Sequence, residues 1–163
     1  VKYVDGPTVE VSVLVNAPIE TVWALITDLD VPARFSTEFL GATWLDEPPG
    51  VGARFVGRSQ HPALGEWETT SHVSRYDPPH SFGWDVTDRA HPSASWWFDL
   101  SEASDGISLR YGSRIGPAPS GLTIAITRRP DKEELIIARR LEEFERNMTA
   151  TVAGIKALAE ATA

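Results

Sequence analysis

The sequence predicts an α+β fold in which a curved antiparallel sheet of six or seven strands wraps around one long C-terminal helix. Three observations lead there. Short runs of alternating apolar and polar residues open at Val9 and recur from Phe39 to Gly116. Turn signals such as Pro78-Pro79 and Asp105-Gly106 separate them. The C-terminal stretch instead carries one apolar stripe at helical steps: Ile137, Leu141, Phe144, Met148, Val152, Ile155 and Ala159. Strands in series followed by a helix suggest α+β rather than a doubly wound sheet. A single domain over residues 1–163 is expected from the length.

Val9, Val11, Val13 and Val15 alternate with Glu10, Ser12, Leu14 and Asn16, giving a strand with one buried face. Asn16-Ala17-Pro18 ends it, and Pro18 suits a first helical turn because its missing N–H would be unpaired there. Ile19, Val22, Trp23 and Ile26 then space a short amphipathic helix to about Asp28. A second short helix is expected over 31–36, opened by Pro32. Strands follow near 39–46, 52–60, 65–77, 80–87, 93–101 and 106–116. Pro48-Pro49-Gly50, Pro78-Pro79 and Asp105-Gly106 punctuate them. Such short links favour antiparallel hairpins. Gly116-Pro117-Ala118-Pro119-Ser120-Gly121 reads as a loop. The long helix is expected from Asp131 to Leu158, roughly 40 Å at 1.5 Å per residue. Asp131 with Glu134 forms a capping box after Pro130. Gly154 inside that helix costs ~1 kcal/mol relative to Ala.

Bulk composition narrows the function classes. With 42% hydrophobic and 23% charged residues, the chain has the material for a packed core. No apolar run approaches a membrane span. There is no signal-peptide pattern, although the chain opens on Val1 rather than Met, and a cytoplasmic location is expected. The absence of cysteine excludes disulfides, thiolate metal sites and Cys nucleophiles together. A net charge of -8 argues against nucleic acid as a partner.

Side-chain parity sorts the strands into faces. Trp67, Thr69, Ser71 and Val73 share one. So do Phe82, Trp84 and Val86, then Trp96, Phe98 and Leu100, then Ile107, Leu109, Tyr111, Ser113 and Ile115. Each set holds the bulkier apolar residues and is assigned inward. Those aromatics either fill the core or wall a cavity whose few polar groups orient a ligand. Thr69, Ser71, Tyr111 and Ser113 are the inward polar candidates. A buried hydroxyl without a partner costs on the order of 1–3 kcal/mol, so four together imply mutual bonding, ordered water or a ligand.

Catalytic candidates are few. None of His61, His72, His80 and His91 has a metal-ligand spacing partner, and no metal or cofactor is expected. His72, Asp85 and Asp99 take outward parity. General acid–base catalysis needs a titratable group within reach of substrate. The phased inner strand faces supply none unless Arg75 or a loop residue reaches in. His61 could overhang a cavity mouth. Arg54 and Arg58 lie on a strand of open phase, because Phe55 and Val56 compete for the inside. Glu133, Glu134, Glu142, Glu143 and Glu145, with Arg139, Arg140 and Arg146, read as the wet face of the long helix.

The segments VSVLVNAPIETVW (11–23), VGARFVG (51–57), EWETTSHVSRYDPPHSFGWDV (66–86) and ASWWFDLSEASDGISLRY (94–111) resemble the START-like, or SRPBCC, superfamily. The likeness is to its polyketide cyclase/dehydrase and lipid transport branch, and it covers nearly the whole chain. The resemblance implies a helix-grip fold with a cavity under the C-terminal helix. Members bind lipids, polyketides, hormones or other apolar compounds, and a minority cyclise or dehydrate polyketides. They share no universal catalytic residue, so none is carried over here.

The expected function is binding of a hydrophobic small molecule. The expected ligand-binding residues are Phe55, Trp67, Thr69, Ser71, Phe82, Trp84, Trp96, Phe98, Tyr111, Ser113, Phe144 and Met148. The alternatives are an aromatase/cyclase-type enzyme acting on a polyketide, and a partner-binding module with a closed core. A monomer or weak homodimer without integral membrane contact is expected.

Overall fold

The computed structural model describes residues 1–47 and 49–162. The turn expected at Pro48 therefore lies outside the described residues. Strand β1 (Thr8–Val15) half-buries Val9, Val11 and Val13, fully buries Val15, and is followed by helix α1 (Ile19–Ile26). Pro18 stands just before that helix as its N-cap, and Ile19, Val22 and Ile26 form the buried side. The second short helix reduces to a 3₁₀ turn, Pro32–Arg34.

Six strands then run as a meander: β2 (Phe39–Trp44), β3 (Arg54–His61), β4 (Gly65–Asp77), β5 (Ser81–Val86), β6 (Ala94–Ala103) and β7 (Gly106–Ile115). Neighbours in sequence pair antiparallel, and β1 closes on β7 with Val11 opposite Tyr111. The order is β1-β7-β6-β5-β4-β3-β2. Two register shifts, at Phe39/Gly41 and Val73/Arg75, locally increase twist and help the sheet curl.

Helix α2 (Gly121–Arg128) stands where the sequence suggested no element after the 116–121 loop. Its signal is local. The Ser120 hydroxyl accepts from the Leu122 N–H, while Thr123 Oγ1 accepts from the Ser120 N–H. Four β-branched residues in eight weaken the helical pattern there and hid the element.

Helix α3 (Glu133–Ala161) is 29 residues long, about 43 Å at 1.5 Å per residue. Ile137, Phe144, Met148, Val152, Ile155 and Ala159 are buried along it, as the stripe predicts, while Leu141 is half-buried. The expected capping box is absent. Asp131 sits in a 3₁₀ turn before the helix, and its carboxylate accepts from the Arg129 guanidinium instead. Gly154 has a packing reason: a Cβ there would lie 2.4 Å from the Phe35 ring. The 30s segment therefore clamps directly onto the α3 backbone.

Candidate ligand cavity

The concave side of the sheet carries a connected set of rings. Phe55 meets Trp84 at 5.8 Å, Trp84 meets Phe98 at 6.1 Å, and Phe98 stacks on Tyr111 at 4.1 Å between centroids. Trp96 then links Tyr111, at 5.8 Å, to Phe144 of α3, at 5.0 Å. These edge and offset contacts fix the rings in place.

The rings do not fill the space. An inner chamber of about 140 Å³ lies between α3, the sheet and the 26–39 segment. That is the size range of engineered apolar cavities that bind benzene. It is lined by Phe55, Thr69, Ser71, Phe82, Trp84, Trp96, Phe98, Tyr111, Phe144 and Met148, ten of the twelve expected residues. An outer chamber of about 660 Å³ adjoins it beneath α2 and the β3–β4 hairpin. The two share Ser59, Thr69, Val86, Trp96 and Phe144 as common wall. Trp67 lines the outer chamber only. Ser113 lines neither: it is fully buried, and its hydroxyl has no partner.

Thr69, Ser71 and Tyr111 hold three hydroxyls on the inner chamber. Among the described residues, none of the three has a hydrogen-bond partner in the protein. Ser71 is 3% and Tyr111 6% exposed, so their hydroxyls are reached through the chamber rather than from the outer surface. Burial pushes the Tyr111 phenol up from its ordinary value, which keeps it protonated and a donor at neutral pH.

The charged groups come from places that strand parity does not cover. Arg140 of α3, read from sequence as part of the wet face, is buried. Its guanidinium donates to both Glu38 oxygens at 2.7 Å and to Glu143 at 3.2 Å, and lies 4.6 Å above the Phe144 ring. Desolvation alone would lower the Arg140 pKa, but the two carboxylates outweigh it and raise it. Glu143 likewise departs from the wet face. Its second oxygen lies 2.7 Å from His61 Nε2. His61 Nδ1 accepts the Ala63 N–H, which places the ring proton on Nε2, donating to Glu143. Burial acts to raise the Glu143 carboxyl, yet the His61 and Arg140 bonds hold it below the ordinary value.

A bulge settles Arg75. The register shift at Val73/Arg75 turns Arg75 outward, over the Trp97 ring and toward Asp99, and turns Tyr76 inward against Trp23 and Phe82. Arg75 therefore does not reach the cavity. The open phase of β3 resolves with Phe55 inside at 4% exposure, Arg58 exposed and Arg54 paired outside to Asp46. The carboxylates on the chamber walls, Asp28 and Glu38, come from the segment between α1 and β2.

A long helix gripped by a curled seven-stranded sheet, with a ring-lined void between them, defines a helix-grip ligand-cavity protein. Residues 6–160 match the family described as polyketide cyclase / dehydrase and lipid transport, and the chain belongs to that family. No curated protein matches the sequence. Among solved structures, the polyketide-cyclase-like protein Cgl2372 from Corynebacterium glutamicum is 30% identical with a TM-score of 0.67, covering 94% of this chain and 91% of that one. The di-domain aromatase/cyclase BexL of the BE-7585A biosynthetic pathway superposes with a TM-score of 0.71 at 15% identity; 94% of this chain matches 50% of that one. Ara h 8.0201 has a TM-score of 0.61 at 8% identity, covering 95% and 98%. The last two likenesses concern fold alone. Among the described residues no helix is long and apolar enough to cross a membrane, and no group of three or more His, Asp or Glu is placed to hold a metal ion.

Proposed function

We propose that this protein binds a hydrophobic small molecule in the inner chamber, with the ligand extending toward the outer one. The observation that carries the reading is the set of unpartnered hydroxyls of Thr69, Ser71 and Tyr111 on an otherwise ring-walled void. Left dry, each costs on the order of 1–3 kcal/mol; a ligand with a hydrogen-bond acceptor removes that cost. Burying ~300 Å² of apolar ligand surface is worth roughly 7 kcal/mol gross at ~25 cal/mol/Å². After association costs, micromolar affinity or weaker is expected.

An aromatase/cyclase reading would need a proton-transfer group at the bound substrate. Glu38 is tied to Arg140, Asp28 accepts the Asp30 N–H in a local turn at the chamber edge, and the Tyr111 phenol is made less acidic by burial. These features favour binding over catalysis.

Quenching of tryptophan fluorescence by a panel of apolar carbonyl compounds, with native mass spectrometry for stoichiometry, tests the proposal. Trp84 and Trp96 on the walls report occupancy directly. Tyr111→Phe is expected to weaken acceptor-bearing ligands about fivefold, the worth of one neutral hydrogen bond. It should leave the thermal stability of the ligand-free protein unchanged or raise it, because no protein partner is lost and a hydroxyl without a partner is removed. If no member of the panel binds, the reading fails.

A further inference from the structure

The charged groups on the two linings differ in sign. The inner lining contains Asp28 and Glu38 and no cation. Among the described residues the outer lining contains Arg128 and Arg140 and no carboxylate. This is unexpected in a chain of net charge -8, where carboxylates outnumber basic groups 23 to 15. The Arg140 charge is more than balanced by Glu38 and Glu143, two carboxylates on one guanidinium, so it offers no free cation. Arg128 is different. Among the described residues no carboxylate lies within 4.0 Å of it.

We propose that the outer chamber is a recognition site for the carboxylate of a hydrophobic acid, held by Arg128 with its apolar part against Trp67, Trp96 and Phe144. This rests on the small-molecule reading above and specifies the charge and orientation of the ligand. One free guanidinium balances one negative charge, and its planar fork matches a carboxylate. A dianionic phosphate would leave a charge uncompensated. Orientation follows from the inner rim: Asp28, which pairs with no cation among the described residues, repels an anionic head, so the apolar end enters first. The head stays outside the shared wall of Trp96 and Phe144. Beyond that wall, the ring-lined inner chamber receives the far end.

Arg128 is exposed, so its pull is moderate and salt-sensitive. Calorimetry and tryptophan quenching on the full chain would use decanoate and decan-1-ol, which share a tail and differ in head. Decanoate is expected to bind about two- to fivefold tighter at low salt, narrowing as ionic strength rises. Arg128→Gln collapses that difference. Arg139→Gln, the same charge change at an exposed α3 position lining neither chamber, preserves it. Equal binding of acid and alcohol, or a preference that survives Arg128→Gln, overturns the inference and leaves the cavity reading standing. Binding of neither probe counts against the cavity reading itself.

Discussion

The inner chamber is walled by side chains that strands and α3 place by simple alternation, and its polar content is three neutral hydroxyls and an acidic rim. The outer chamber borrows its wall from less regular pieces: the β3–β4 hairpin tip, the 118–121 loop and α2. Between them stands Phe144, common to both, with Arg140 stacked over its ring and clasped to Glu38. One region is held by ring packing around a void. The other is held by ion pairs at the edge of a void. The difference shows where the fold is fixed and where it is adjustable. Packed rings have few alternative arrangements, whereas a hairpin tied by His61–Glu143 and resting Leu64 near Gly121 has fewer contacts to lose on opening.

The sharpest way to break this division is at Arg140. Arg140→Met leaves Glu38 without its partner beside the inner chamber. Unpairing a buried ion pair costs ~3–5 kcal/mol, and the low end applies here because both groups border a chamber. Urea denaturation should therefore show a loss of about 3 kcal/mol. Arg140→Met combined with Glu38→Leu should recover most of it, because the buried pair is then gone and the more exposed Glu143 keeps its His61 bond. If the single variant keeps full stability, the clasp does not hold the partition.

Phe144→Ala sharpens the same comparison from the packing side. Truncating a buried Phe costs ~3–5 kcal/mol where the cavity is sealed. Phe144 already faces void on two sides, so a loss of roughly 2 kcal/mol is expected. The two chambers would merge, and longer apolar ligands should gain affinity relative to short ones. A titration series of alkyl chain lengths reads this directly: an unchanged length optimum would mean Phe144 is not the divider.

How much of this was legible in the sequence follows the same line. The inner chamber was, because Phe82, Trp84, Trp96, Phe98 and Tyr111 obey period-2 parity on hairpins with clear turn residues. Phe144 and Met148 were legible from the α3 stripe. The outer chamber was not. Helix α2 is short and rich in β-branched residues, so its Ser120–Thr123 cap was the only strong cue. Arg140 was misplaced for a different reason: its helical position borders the apolar stripe, and nothing local announces that Glu38, 102 positions away, will pair with it. The bulge that turns Arg75 out and Tyr76 in is likewise a tertiary consequence of curling the sheet. Ser113 kept its expected inward parity, yet lies behind the cavity wall rather than on it, which parity alone does not distinguish.

The smallest effect separates the ionic half from the packed half by pH. Glu143 has a folded pKa below its ordinary value, with burial opposing and the His61 and Arg140 bonds prevailing. A carboxyl whose pKa is depressed on folding contributes stability that is fully present above its unfolded pKa. That contribution is lost as pH falls through the folded one. The window therefore lies at and below the normal Glu range, not near neutrality. Glu143 is about one-third exposed, so solvent screening keeps the contribution small. Glu143→Gln should lower stability slightly at pH 7 and flatten the acid limb of the stability curve, the two proteins converging as pH drops. Phe144→Ala should instead lower stability by the same amount at every pH, since it removes no titrating group. Parallel acid limbs for the wild-type protein and Glu143→Gln would show that the hairpin is held by something other than this carboxylate.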